Sequence, residues 1–164
     1  MNDSEFLLSD LLTPSRIELN LQTKNRDETL RELTSHIEEI ADRPDFQQTL
    51  LRALQEREQL HSTGIGDGVA LPHARNALVG LVQKPVIVFG RHLQGIPFGA
   101  IDGKPARLFF LLIAPTVTQH LSMLARISRL LRDPKLRREL LAAEISGQIS
   151  ALIRVAETAM RPQE

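Results

Sequence analysis

Cysteine, tryptophan and tyrosine are absent from this 164-residue chain, and phenylalanine occurs only six times. Without cysteine there is no disulfide, no thiolate metal site and no thiol nucleophile. So few aromatic faces leave little on which single-stranded nucleic acid could stack. Neither sign of charge is in excess: twenty basic and twenty acidic side chains give a formal net charge of zero. No global field therefore draws nucleic acid or anionic lipid. No apolar run approaches the roughly 20 residues of a membrane helix, and the opening Met1-Asn2-Asp3-Ser4-Glu5 is acidic where a secretory signal is basic. The expectation is a cytoplasmic protein that neither inserts in a membrane nor binds nucleic acid.

What is present is a globular pattern. An apolar fraction of 42% excludes wholesale disorder, and the length suits one domain. No repeat and no linker-like tract divides it, so residues 1–164 read as a single domain with its core from about 7 to 153. Ile17 to Leu21 alternates as a strand does. Leu30, Leu33, Ile37 and Ile40 follow at helical spacing, behind an Asn25/Glu28 capping box. A second helix is expected from Asp45, just past Pro44, to about Glu58. Val69-Ala70-Leu71, Val86 to Phe89 and Leu108 to Ile113 read as strands. The last is six consecutive apolar residues, so both of its faces should be covered. Helices then return, with Thr118, Asp133 and Ser146 as expected caps. The predicted fold class is α/β (α+β), a mixed sheet with helices on both faces.

Chemistry concentrates in the stretch from Arg57 to His73. Gly64, Gly66 and Gly68 alternate, which no helix interior tolerates, and they leave the backbone open to close approach. A dinucleotide fingerprint would follow a strand and open a helix, and this stretch does the reverse. No Walker ending is present either. Pro72 stiffens the backbone that delivers His73, and roughly three-quarters of an unperturbed imidazole is neutral and nucleophilic at pH 7. From the residues alone, His73 is either such a reactive ring or a histidine that hydrogen-bonds a turn. The glycine loop and Arg57 favour the first.

His120, placed in a first turn behind Thr118, would meet the free N–H groups and dipole that favour an anion. It could equally be an exposed first-turn residue. A Ser62 triad with His73 and Asp67 or Asp102 lacks the Gly-x-Ser-x-Gly elbow. His36 and His92 lack metal-ligand spacing, and His36 is expected on the polar side of its helix. The basic run Arg126, Arg129, Arg132, Lys135, Arg137, Arg138 reads as a solvated helical face or a contact for an acidic partner.

Ser62-Thr63-Gly64-Ile65-Gly66-Asp67-Gly68-Val69-Ala70-Leu71-Pro72-His73-Ala74-Arg75 resembles, nearly residue by residue, the active-site motif of a known family. This is the fructose/mannitol class of IIA domains of the bacterial phosphoenolpyruvate-dependent phosphotransferase system. Ala100-Ile101-Asp102-Gly103-Lys104-Pro105 with Ala114-Pro115, and His120-Leu121 with Leu124 and Leu130-Leu131-Arg132-Asp133, resemble its second and third motifs. Leu11 to Ile17 is also typical, and within the family the chain most resembles the nitrogen-regulatory type.

The resemblance implies a phosphocarrier. His73 would accept a phosphoryl group at Nε2 from an HPr-type carrier protein, with Nδ1–H on a backbone acceptor. Arg57 and His120 match the family's phosphate-neighbouring arginine and second histidine, and Ser62, Thr63, Gly64, Gly66 and Gly68 match its phosphate-surrounding loop. No cofactor and no metal is implied. Gly99 stands where the family often has Asp, and His61 replaces a small residue. A self-contained chain with no attached permease or HPr-like segment favours regulatory signalling through unknown protein targets. A sugar-specific IIA protein feeding a IIB partner, and a IIA-like binding module that takes no phosphate, are the alternatives.

Overall fold

The computed structural model describes residues 6–75 and 80–160; the acidic opening Met1 to Glu5 lies outside them. The chain opens with two short 3-10 turns, Leu8–Leu11 and Pro14–Arg16. It continues through β1 (Ile17–Glu18), α1 (Arg26–Thr34), a 3-10 turn at Glu38–Ile40, and α2 (Pro44–Leu60). Then come β2 (Gly64–Gly66), β3 (Val69–Ala70), β4 (Val86–Ile96) and β5 (Ala106–Ile113). Three helices close it: α3 (Val117–Leu130), α4 (Pro134–Ala142) and α5 (Ser146–Met160).

The five strands form one mixed sheet in the order β1-β4-β5-β3-β2. β1 runs parallel to β4 and β3 parallel to β5, while the β4/β5 and β2/β3 pairs are antiparallel. The six-residue apolar run lies in β5, beside β4 and β3. Successive side chains point to opposite faces. Leu108, Phe110 and Leu112 pack with Met123, Ile127, Leu140, Ile149 and Ile153 of α3, α4 and α5. Phe109, Leu111 and Ile113 pack with Leu30, Leu33, Leu50 and Leu54 of α1 and α2. The expected two-sided cover is therefore present. Gly90 lets α1 approach: a Cβ there would meet Leu33 Cδ2 at 2.6 Å.

Four local expectations change. The strand at Ile17 pairs only to Glu18, because side chains take the backbone groups that a ladder would use. Glu18 accepts the Asn20 amide and Arg91 takes the Leu19 carbonyl. β4 runs seven residues past Phe89, through Arg91 and His92. The α3 cap is Thr116 rather than Thr118: its hydroxyl accepts the Gln119 amide at 3.1 Å. Ser146 is the first residue of α5 rather than its cap, and Gln148 accepts the Glu144 and Ile145 amides instead. The Asn25 and Asp133 caps are as expected.

The basic run is also not wholly a solvated face. Arg126 donates to the Phe6 carbonyl and pairs with the buried Glu157, whose carboxylate also accepts the Leu8 and Ser9 amides. Arg137 donates to the Leu131 carbonyl.

Arg91 is 5% exposed, and its hydrogen bonds among the described residues all go to backbone carbonyls. Its Nη1 lies 2.6–3.2 Å from the carbonyls of Leu140, Leu141 and Ala143, at the end of α4. The negative end of that helix dipole balances the guanidinium. Replacing Arg91 with Met should leave these buried acceptors unpaired and cost about 3 kcal/mol. The urea unfolding midpoint of Arg91→Met, at unchanged slope, checks this.

Candidate functional site

Past β3, Leu71 and Pro72 carry the chain on alongside β5. The Pro72 carbonyl accepts the Leu112 amide at 3.0 Å, and His73 bridges to Leu112 in parallel register. His73 is half-buried, with Nδ1 2.7 Å from the Leu71 carbonyl oxygen. A carbonyl only accepts, so Nδ1 carries the hydrogen and the neutral ring keeps its lone pair on Nε2.

His120 reaches the same place from α3, with ring centroids 5.4 Å apart and planes tilted by 53°. It is buried, and its Nδ1 has no hydrogen-bond partner among the described residues. Because Thr116 is the cap, His120 stands fourth in the helix and its own N–H is spent on the Thr116 carbonyl at 3.0 Å. Its part in the site is therefore its ring. Arg57 comes from the last turn of α2, where Nη1 donates to the His61 carbonyl at 2.5 Å. A cleft of about 540 Å³ opens beside it, lined by Glu56, Leu60, Ala74 and Arg75 among others.

These surroundings favour the neutral form of both imidazoles. Burial is the main cause that holds His73 below the usual value of about 6.5. Its bond to Leu71 opposes that, and the charges of Arg57 and His120 add to it. Burial alone lowers His120.

The glycine-rich stretch is a β-hairpin. Gly66 pairs with Val69, leaving Asp67-Gly68 as a two-residue turn with φ of +55° and +79°. Two positive φ angles are the signature of the Asp-Gly type I′ turn. The group that approaches these glycines closely is another loop of the chain. A Cβ on Gly64 would meet the Ala100 Cβ at 3.0 Å, and one on Gly66 the Asp102 carboxylate at 3.1 Å. Asp102 accepts the Asp67 amide at 2.8 Å and the Lys104 amide at 3.0 Å. Those two bonds hold its carboxyl below the usual range. The Gly68 carbonyl accepts the Arg107 and Leu108 amides. Ser62 donates its hydroxyl to the Phe98 carbonyl and Thr63 donates its own to Glu58.

Of the residues marked in the sequence, His73 and His120 thus meet, and the charge of Arg57 acts on the His73 ring. Gly99, with φ of +75°, sits over Ser62, while His61 is exposed and gives the site a backbone carbonyl. His92 is structural: Nδ1 accepts the Gly95 amide and Nε2 donates to the Thr23 carbonyl. His36 lies beyond α1 rather than on its polar side. Its Nδ1 is 3.0 Å from the Ser15 carbonyl, and its Nε2 is 3.7 Å from Glu18 and from Glu32. Sequence spacing gave no sign of that trio, whose ligand atoms lie within 4.8 Å of one another. Sequence reasoning also missed Glu58 and Arg91, and only the Asp67-Gly68 pair had carried a readable signal for the hairpin.

The family described as "Phosphoenolpyruvate-dependent sugar phosphotransferase system, EIIA 2" matches residues 10–155. A fructose-specific EIIABC component of Bacillus subtilis is 35% identical over 89% of this chain, which spans only 23% of that protein. A nitrogen regulatory protein of Bradyrhizobium diazoefficiens is 32% identical over 89% of this chain and 94% of its own length. The nitrogen regulatory protein IIA-Ntr of Neisseria meningitidis superposes with a TM-score of 0.79 at 28% identity, covering 89% of this chain and 98% of that one. No helix of the described residues is long and apolar enough to cross a membrane.

The lowered imidazole pKa values predict how stability depends on pH. Below about 6.5 the unfolded chain binds protons at both histidines before the folded one does, so acidification favours unfolding. Their contribution is fully present above 6.5 and is lost as pH falls through the folded values. The drop in unfolding free energy between pH 7.5 and 5.5 should be smaller in a His73→Gln/His120→Gln variant, as denaturant titrations at the two pH values will show.

Proposed function

The chain belongs to the EIIA 2 family of the phosphoenolpyruvate-dependent sugar phosphotransferase system, and from that premise we propose that it is a phosphocarrier of the nitrogen-regulatory type. His73 accepts a phosphoryl group from an HPr-type carrier protein, and its phosphorylation state selects the regulatory proteins that the chain binds. One observation carries this reading: Nδ1 of His73 is engaged on the Leu71 carbonyl, which leaves the Nε2 lone pair free on a ring that lies against His120 and feels the charge of Arg57.

The transfer balances simply. The Nε2 lone pair forms a bond to the donor's phosphorus, the donor's P–N bond breaks, and the donor ring keeps that electron pair. Such a transfer needs alignment and charge stabilisation more than covalent help. The guanidinium of Arg57 and the ring of His120 supply the second, against a group that brings about −1.5 to −2 charge. The elements around His73 also expose apolar side chains to a protein partner: Leu60, Ile65, Ile101, Val117 and Leu121.

The fructose-specific relative favours a second reading, a sugar-specific IIA component that hands its phosphate to a IIB protein. Both readings share the first step. Incubation with phosphoenolpyruvate, enzyme I and an HPr-type carrier should give an acid-labile, alkali-stable phosphate. His73→Ala should abolish labelling. Arg57→Ala and His120→Ala should each slow it by at least about 10-fold, as loss of a charge-stabilising group does. An unlabelled wild-type chain would leave a binding module, and transfer onward to a fructose-type IIB protein would select the sugar reading.

A further inference from the structure

One buried ionisable group beside the site has no part in the transfer just described. Glu58, next to Arg57 in the last turn of α2, is 4% exposed. Its carboxylate accepts the Thr63 amide, 3.0 Å from Oε2 and 3.3 Å from Oε1, and also the Thr63 hydroxyl. The Thr63 carbonyl in turn accepts the Leu71 amide at 3.0 Å. The Leu71 carbonyl accepts Nδ1–H of His73 at 2.7 Å. We infer that Glu58 is a positioning residue for His73, acting through this unbroken chain of hydrogen bonds across Thr63 and Leu71. The inference rests on the reading of His73 as the phosphoryl acceptor.

Several observations favour a placing role over mere filling of space. An apolar side chain would fill the volume without the cost of a buried carboxylate. Burial does push the Glu58 carboxyl above its usual range, against the pull of the Thr63 bonds and the charges of Arg26 and Arg57. What the carboxylate provides is two acceptor oxygens facing two donors of one residue, which pins Thr63 in both position and rotation. The links in the chain fall on different peptide units, since each residue is held at its N–H and holds at its C=O. Placement, rather than charge through one conjugated group, is therefore what is passed on. A displaced Leu71 carbonyl would release Nδ1–H, let the ring rotate or change tautomer, and take the Nε2 lone pair off line. A small misplacement at the reacting atom is expensive in rate.

The test uses Glu58→Gln and Thr63→Ala. Gln presents an NH2 to one of the two Thr63 donors, and Ala removes the hydroxyl while keeping the amide bond to Glu58. Two readouts are taken on each: the ring nitrogen signals of His73 by 15N NMR, and the initial rate of labelling from the HPr-type carrier. In the wild-type chain His73 should show one tautomer with hydrogen on Nδ1. Glu58→Gln should mix the tautomers and slow labelling roughly 10-fold or more, the scale of outer-sphere partners of functional histidines, while final labelling stays complete. Thr63→Ala should do the same to a smaller degree, and it carries the test if Glu58→Gln fails to fold. Unchanged rate and unchanged ring signals in a folded variant would overturn the inference. So would a slower rate with unchanged ring signals. If ring signals shift in the variants yet the wild-type chain takes no phosphate, the positioning role stands and the phosphocarrier reading fails.

Discussion

The bond from Nδ1–H of His73 to the Leu71 carbonyl is the constraint on which the rest of the site depends. It closes within two residues, so on its own it would be a local turn. What makes it rigid is the backbone on either side. Pro72 has a fixed φ and no amide hydrogen to exchange with water, and its carbonyl is taken by Leu112 of β5. Leu71 is 3% exposed and its amide is held by Thr63. The imidazole is thus an extension of the sheet, braced by the most apolar strand of the molecule. Helices packed on both faces of that sheet hold the strand that fixes the ring, and the Leu71 bond leaves the Nε2 lone pair unused.

Much of this was legible in the sequence, for physical reasons that differ by element. The β5 run announced itself because a strand buried on both faces has no polar alternation to confuse it. His73 stood out because a glycine-rich stretch and a proline frame it. Arg57 and His120 were marked by their places at a helix end and a helix start, but only the resemblance to a family motif joined them to His73, since 16 and 47 positions of chain separate them from it. The length of β4 was hidden by Arg91 and His92, which look like surface residues. They are buried because each spends its polar atoms on backbone, Arg91 at the end of α4 and His92 on Thr23 and Gly95. Thr116 and Thr118 are both competent caps, and the geometry after Pro115 chose between them. Glu58 was invisible because its meaning lies in the carbonyl of another residue.

The electrostatics of the site fit a group that has yet to arrive. Burial and a nearby guanidinium both disfavour a proton on His73, and no carboxylate is among the causes acting on its charge. An imidazole that bound a proton would be blocked as a nucleophile, so the same terms that cost stability at acid pH protect the lone pair near neutrality. In the proposed phosphorylated state the sign of the balance would change. A positive charge that repels a proton would then face negative oxygens, in partly dry surroundings where that attraction is stronger than in water. His120 Nδ1, without a partner among the described residues, is consistent with this economy: such a buried polar atom is costly unless some state of the protein uses it.

The geometry of the glycines bears on how that change reaches the surface. Gly64 and Gly66 have no side chains because the loop after Phe98 lies against them, joined by Ser62 to Phe98 and by Asp102 to the Asp67 amide. That loop carries Ile101, 98% exposed, and the hairpin carries Ile65, 46% exposed. Apolar side chains so placed lose nothing when a partner covers them and gain burial free energy. On the phosphocarrier reading, a partner that covers them would also shield the phosphoryl group from water, which would hydrolyse it. That exposed loop is hydrogen-bonded to the hairpin which, through Thr63 and Leu71, holds His73.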